Sequence, residues 1–491
     1  MNFAIRPDGT PLVFDASMAN RHGLVAGATG TGKTVTIKLL AEEFAKQGIP
    51  VFITDLKGDL TGFVQAGSLD DKLAERLEAI GAPTPEFQAF SANFWDVLKQ
   101  NGIPLRATIS EMGPLLLSRL LGLNDTQTGV MYAIFKIADD QELLLLDYKD
   151  LQAILAFVSE NNKEFSAAYG NLQRQSIGAI QRKLLVLEQQ GAHEFFQEPA
   201  LDIRDFLQRD VNGQGIINVL DAREIYHSPD LYSAFILYLL SELYEALPEV
   251  GDQPLPKLIF FFEEAHLLFQ NASKVLLERI EQVVKLIRSK GVGLFFCTQN
   301  PRDIPDNVLA QLGAKIQHAL RAYTPAEQRA VKAVADSFRG NPDFDVAEEL
   351  LQLQIGEALV STLDEKGIPT PVEKVFILAP ASQIGPVDQI TVQNHVRASH
   401  LFNKYERTFD SESAYEILAR KVEEVEAARQ RELEAAEAAK AKEDSFLGNI
   451  FKGRSKSDSP LERMVKNTMG SIGTQIGRSI YRGIFGNLLK R

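Results

Sequence analysis

The sequence predicts an α/β protein: a mostly parallel sheet with a large helical insertion and a helical C-terminal extension. Three observations carry this. Short apolar runs alternate with helical patterns over the first 63 residues, with glycine-rich turns between them. The same alternation returns at Ile216–Leu220, Leu258–Phe262 and Leu294–Cys297. Between these regions, from Gly67 to Asp210, apolar residues recur at three-to-four spacing. Strands that alternate with helices imply a sheet covered on both faces.

Taken in order, Leu24-Val25-Ala26 reads as a short buried strand, followed by a loop and a helix from about Lys33 to Gln47. Val51-Phe52-Ile53-Thr54 reads as the next strand, so residues 1–66 are the expected first part of the core. Residues 67–210 are expected to be a mainly helical insertion, with helices at Met112–Leu121, Gly129–Ile137, Asp150–Glu160 and Tyr169–Glu188. Residues 211–400 supply the second part of the core, including a helix at Ile280–Lys290. Residues 401–450 form a charged helix, because Ser411–Asp444 is rich in Ala, Glu, Lys and Arg. Phe446–Pro460 reads as a flexible linker. Residues 451–491 form a basic amphipathic tail, with Ile472, Ile476, Ile480, Ile484 and Leu488 four apart. That tail can lie on an anionic membrane surface through 461–491, dock on a partner helix, or be a terminus with little order.

Composition narrows the class. Of 491 residues, 45% are apolar and 24% charged, which argues against disorder throughout and against a membrane bundle. No apolar run approaches the ~20 residues of a transmembrane helix. The N-terminus has no basic start followed by a long apolar core, so a signal peptide is not expected. Cys297 is the single cysteine, which excludes an internal disulfide and a multi-cysteine metal site. The expected location is cytoplasmic. The net charge is −13, which taken alone disfavours nucleic-acid binding. The charge is unevenly placed, however. Ile450–Arg491 holds nine basic and two acidic residues, so a +7 tail is attached to a body carrying −20.

Gly27-Ala28-Thr29-Gly30-Thr31-Gly32-Lys33-Thr34 fits the phosphate-binding pattern G-x-x-x-x-G-K-[ST]. Its glycines let several backbone N–H groups converge on an anion, and the following helix adds its positive dipole end. Lys33 would reach the β- and γ-phosphates of ATP. Thr34 would offer a hydroxyl to Mg²⁺, which prefers hard oxygen ligands. Thr36 joins these eight residues in the expected nucleotide-binding set.

A second signal is Lys257–His266. An apolar run suited to a central strand ends in Glu263 and Glu264, at the carboxyl end where open α/β sheets place ligands. Glu263 would hold Mg²⁺ through water, standing where Asp is more usual. Glu264 would polarise the attacking water and accept its proton. The plainer alternative is a strand ending in a solvated acidic turn. The third signal is the strand leading to Thr298-Gln299-Asn300-Pro301. Gln299 either contacts the γ-phosphate or attacking water, or sits in an ordinary polar turn. Arg288 either stabilises transition-state charge at a neighbouring subunit's site or is a helix C-terminal cation favoured by the dipole. Asp55 either binds the metal or a water from the side, or belongs to the turn that Gly58 ends.

Together these residues resemble a known family. Asn20–Thr34 resembles the opening of HerA-type ATPases. Glu263-Glu264-Ala265-His266, the Arg288–Gly293 run and Thr298–Pro301 resemble the later HerA/FtsK motifs in the same order. Phe94-Trp95-Asp96-Val97, Ser110–Arg119 and Gly356–Asp364 are similar to the YjgR-like bacterial HerA-like subfamily. The resemblance implies a RecA-like P-loop NTPase core with an additional catalytic glutamate, a hexameric ring with sites between subunits, and Arg288 as the trans-acting arginine. HerA enzymes also carry an N-terminal barrel that engages a nuclease. Only about 20 residues precede the first core strand here, so a nuclease partner is not expected. The expected function is an ATP-hydrolysing DNA translocase or helicase-like motor. The alternatives are an ATPase that moves protein, possibly at a membrane surface through the tail, and a nucleotide-gated assembly module.

Overall fold

The computed structural model describes residues 1–98, 101–227, 229–251, 253–270 and 274–450. Contacts divide the chain into two compact units, one of residues 1–106 with 199–408, the other of 107–198 with 409 onward.

The first unit is built on a 12-stranded sheet. Its strands are β1 (Asn2–Ile5), β2 (Pro11–Val13), β3 (Gly23–Ala26), β4 (Val51–Asp55), β5 (Ala92–Asp96), β6 (Ile103–Pro104), β7 (Ile217–Asp221), β8 (Leu258–Phe262), β9 (Val292–Thr298), β10 (Ala314–Gln317), β11 (Glu357–Ser361) and β12 (Glu373–Ile377). They lie in the order β2-β1-β12-β11-β10-β3-β9-β8-β4-β7-β5-β6. From β10 to β6 every pairing is parallel. From β10 back to β2 every pairing is antiparallel. The mostly parallel expectation thus holds, with an antiparallel end that short, weakly patterned strands did not announce.

The centre of the sheet is where the apolar runs are longest. All five residues of β8 and all seven of β9 are buried, as strands covered on both faces must be. Aromatic rings fill both layers. Phe52 and Phe260 lie 4.3 Å apart, and Phe44 of the helix after β3 packs 5.7 Å from Phe295. The register aligns Ala26 with Thr298 and Phe262 with Phe296. The carboxyl ends of β3, β9 and β8 therefore meet along one edge of the sheet, and the residues that follow each strand share that edge.

The sheet claims more chain than the expected core. Ala92–Asp96 and Ile103–Pro104 fall within the stretch read as a helical insertion, yet both are strands. Trp95 explains the first: it is fully buried and its indole N–H donates to Asn218 Oδ1 at 3.0 Å. Residues 199–210 also belong to the first unit, so the separate helical segment is 107–198.

In that second unit, helices run over Ile109–Leu120, Asp125–Asp140, Tyr148–Glu160, Asn162–Tyr169 and Arg174–Gln189. The helix expected over Tyr169–Glu188 is divided at Gly170, whose φ of 90° ends the first piece. Thr108 and Glu111, Asn124 and Gln127, and Asp147 and Asp150 form capping boxes that start three of these helices. The helix Ala414–Ile450 begins where Asp150 Oδ1 accepts from Ser413 Oγ and Tyr415 N. It continues through Phe446–Ile450, the first residues of the stretch whose sequence predicts a linker. The rest of that linker and the amphipathic tail at 461–491 lie outside the described residues. Among the described residues, no helix is long and apolar enough to cross a membrane.

Candidate active site

The loop Gly27–Thr34 joins β3 to the helix Lys33–Lys46. Gly30 and Gly32 have φ of 78° and 111°, a region open to glycine and costly for other residues. Gly27 must be glycine for a second reason: a Cβ there would lie 2.5 Å from the His318 Cβ. Gly32 caps the helix without a side-chain hydrogen bond, so the first N–H groups of the helix face the loop. Lys33 Nζ donates to the carbonyls of Gly27 at 2.6 Å and Ala28 at 2.9 Å. The ammonium thus sits inside the loop, and burial lowers its pKa. Thr31 Oγ1 donates to Ala28 O at 2.7 Å and closes the turn. Thr34 follows Lys33 in the first turn of the helix, beside the same loop.

Glu263 and Glu264 follow β8 on the same edge. Glu263 is buried, and its Oε2 accepts one backbone N–H, from Leu56 at 3.2 Å. Its own N–H donates to Thr54 Oγ1, and its carbonyl accepts from Tyr232 Oη. Burial, reinforced by Asp55 nearby, pushes the Glu263 carboxyl up to about 8. Glu264 has left-handed backbone angles, φ 45° and ψ 50°. Such strain in a non-glycine residue is held in place by its surroundings and is typical of functional positions.

Gln299 links the two motifs. Its Nε2 donates to Glu264 Oε1 at 3.1 Å, and its Oε1 accepts from Thr29 Oγ1 at 3.3 Å. Lys33, Glu263, Glu264 and Gln299 therefore share one edge, as the strand register requires. A triphosphate bound by the loop would have a carboxylate and an amide facing its outer phosphate. The donor set suits Mg²⁺: Thr34 and Glu263 supply hard oxygens, and a dication would offset the cost of the buried Glu263 carboxylate. Among the described residues no cluster of three or more His, Cys, Asp or Glu side chains could hold a metal alone.

Two expected residues sit differently, and a third lies apart from this loop. Asp55 Oδ1 accepts from Lys57, Gly58 and Asp59 N–H groups, and Oδ2 from Leu60 N. Its carboxylate is committed to shaping its own loop; burial still pushes it up to about 6. Thr36 is fully buried, with its hydroxyl 2.9 Å from His318 Nε2 and 3.2 Å from Gly32 O. Arg288 lies before β9, at the amino end of that strand. The seven residues of β9 separate it from Gln299, roughly 20 Å of extended chain. It cannot serve the phosphate loop of its own chain.

His318 and Gly356 support the site; the sequence offered Gly356 only within the Gly356–Asp364 resemblance and His318 not at all. His318 Nδ1 lies 2.9 Å from Glu357 O, and its backbone N–H donates to Ala26 O. Gly356 N donates to Thr31 O at 3.0 Å. The available signal was position: both adjoin strands β10 and β11, which pair outward from β3. Cys297 is buried, as expected of a thiol inside a strand.

Comparison with known proteins agrees with this geometry. The family model "Helicase HerA-like C-terminal" matches residues 3–491. The DNA double-strand break repair helicase HerA of Sulfolobus acidocaldarius is 22% identical over 363 residues, covering 70% of this chain and 62% of that protein. HerA of Saccharolobus solfataricus is 22% identical over 348 residues, covering 69% and 61%. The chain thus spans about six tenths of the length of these relatives. Plasmid coupling protein TrwB in complex with ADP and Mg²⁺ superimposes with a TM-score of 0.52 at 16% identity, covering 79% of this chain and 92% of TrwB. That likeness establishes a shared fold. With the family model matching almost the whole sequence, the chain belongs to the HerA-like helicase C-terminal family.

Proposed function

We propose that this chain is an ATP-hydrolysing motor that moves along or unwinds DNA. The observation that carries the reading is the Thr29–Gln299–Glu264 linkage, which sets a carboxylate opposite a phosphate-binding loop. Lys33 and the loop N–H groups bind the β- and γ-phosphates. Thr34 and Glu263 hold Mg²⁺, which when bound neutralises phosphate charge. Glu264 accepts a proton from the attacking water as its oxygen bonds to the γ-phosphorus and ADP leaves; such base catalysis supplies about 10²–10⁴-fold. Gln299 exchanges Glu264 for the water or γ-phosphate. Arg288, remote from its own loop, acts in trans on a neighbouring copy, and this requires a homo-oligomer, a hexamer by analogy with the family. DNA as substrate rests on the HerA relatives, whose names describe DNA repair helicases.

The test is ATP hydrolysis by the purified chain with and without single- and double-stranded DNA, with assembly mass measured in nucleotide. Expected are DNA-stimulated turnover that weakens steeply with salt, and a ring-sized mass. Absence of stimulation by any DNA at low salt overturns the DNA reading. Stimulation by anionic vesicles instead, lost on deleting 451–491, would identify the membrane-surface alternative that the +7 tail favours.

A further inference from the structure

Two residues beyond Glu264 stands His266, a side chain that hydrolysis as described leaves without a task. Residues at i and i+2 in a helical turn do not normally face each other. Here they do, because left-handed Glu264 turns its side chain back across the 3₁₀ turn Ala265–Leu268. The turn is fixed from within: Leu267 N donates to Glu264 O, and Phe269 N to His266 O. As a result His266 Nδ1 lies 3.4 Å from Glu264 Oε2. Both atoms are shielded from solvent, and among the described residues neither has a hydrogen-bond partner. The other oxygen of the same carboxylate, Oε1, is held by Gln299. Glu264 is therefore gripped firmly on one oxygen and only approached on the other.

This asymmetry has a direction. Gln299 is also bonded to Thr29 on the phosphate loop, so nucleotide entering the loop competes for that amide. Once Gln299 turns to the phosphate, Oε1 is released to meet the attacking water, and the carboxylate needs a second anchor. Buried partners left unpaired are costly, so Nδ1 and Oε2 gain by closing their gap. Apo enzymes often hold such bonds long, and they tighten in the substrate complex. Asp303 ends the 3₁₀ turn Pro301–Asp303 that follows β9. Burial raises the Asp303 carboxyl, and the nearby His266 works against that rise.

We propose that His266 is a positioning residue for the general base: its Nδ1–H closes onto Glu264 Oε2 when nucleotide draws Gln299 away, and so aims Oε1 at the attacking water. The inference rests on the hydrolysis reading above and names a further part of the same site. The imidazole is required as an N–H donor at Nδ1. An amide nitrogen at that place can substitute for it, whereas an apolar side chain of similar size cannot.

The experiment compares full-length wild type, His266→Leu, His266→Asn and Glu264→Gln, with Mg²⁺, ATP and duplex DNA. Affinity for a non-hydrolysable ATP analogue is measured alongside, as a check that each variant folds and binds. Expected for His266→Leu is a loss of about 10- to 100-fold in kcat, with KM and analogue affinity nearly unchanged. His266→Asn, which places an amide N–H near the Nδ1 position, restores most of that loss. Equal rates for wild type and His266→Leu, or equal losses in the Leu and Asn variants, overturn the inference while hydrolysis stands. Wild-type turnover no faster than that of Glu264→Gln overturns the hydrolysis reading itself, and the inference with it.

Discussion

Replacing Thr36 by valine separates the two roles that residue could have. In the structure the threonine hydroxyl meets His318, which is fully buried between the phosphate-loop helix and β11. His318 Nδ1 faces the Glu357 carbonyl at 2.9 Å, and a carbonyl can only accept. Nδ1 therefore carries the proton, and Nε2 must accept one. Thr36 Oγ1 lies 2.9 Å from Nε2 and 3.2 Å from Gly32 O, so its single proton goes to the nearer ring nitrogen. Burial holds His318 at a pKa of about 4, so the ring stays neutral near pH 7 and this tautomer persists. Thr36→Val preserves shape and β-branching but leaves Nε2 buried with no donor. The expected cost is about 1–3 kcal/mol of stability, read as a shift in the urea midpoint at constant slope. Thr36→Ser should keep the hydrogen bond and lose much less. The Kd for ADP should stay within about tenfold of wild type, because the hydroxyl's proton is committed to His318. A Thr36→Val variant as stable as wild type, but with ADP affinity reduced by more than about tenfold, would place the hydroxyl on the nucleotide and refute this reasoning.

Two further outcomes are expected. Glu264→Gln should keep nucleotide binding and lose about 10²–10⁴-fold in kcat, since the amide retains the shape but cannot take the water proton; loss of ADP binding in an isothermal titration would contradict that role. His22→Asn should change how stability depends on pH. His22 is buried, with Nε2 2.8 Å from Val284 O and Nδ1 accepting from Leu294 N, and burial holds it at about 4 against an ordinary 6.5. Between those values the unfolded chain binds the extra proton, so wild type loses up to about 3 kcal/mol as pH falls from 6.5 to 4, and loses nothing from this residue above 6.5. Asparagine does not titrate in this range. Urea unfolding should show the stability gap between variant and wild type narrowing as pH falls through that window. Asp55 and Glu263 titrate in both proteins and cancel in the difference. Parallel curves would mean that His22 is not held neutral by burial.

Local patterns made the centre of the fold legible. Leu258–Phe262 matched its strand residue for residue, because five apolar residues ending in two glutamates leave little choice of boundary. The strand at Leu294–Cys297 proved longer, starting at Val292, since Gly291 and Gly293 masked its beginning. The antiparallel end was not legible. Asn2–Ile5 carries too few residues to show a period, and its partner β12 lies at the other end of the unit's sequence.

The candidate site divides along the same line. By itself the sequence determined the phosphate loop, because glycine spacing and a following helix dictate its backbone over eight consecutive residues. It also determined that Glu263, Glu264 and Gln299 end buried strands, because apolar runs stop where they meet polar residues. Only the tertiary structure decided which of these side chains meet. Gln299 reaches Glu264 and Thr29 because β9 lies between β3 and β8, an order no local pattern contains. Thr36 is turned inward by a histidine 282 residues away, and Asp55 is taken up by its own loop. Arg288 is carried to the opposite edge by the length of a parallel strand. Backbone conformation follows from neighbours in the chain, whereas a side chain's partner depends on strand order and register, which are settled by burial of the whole sheet.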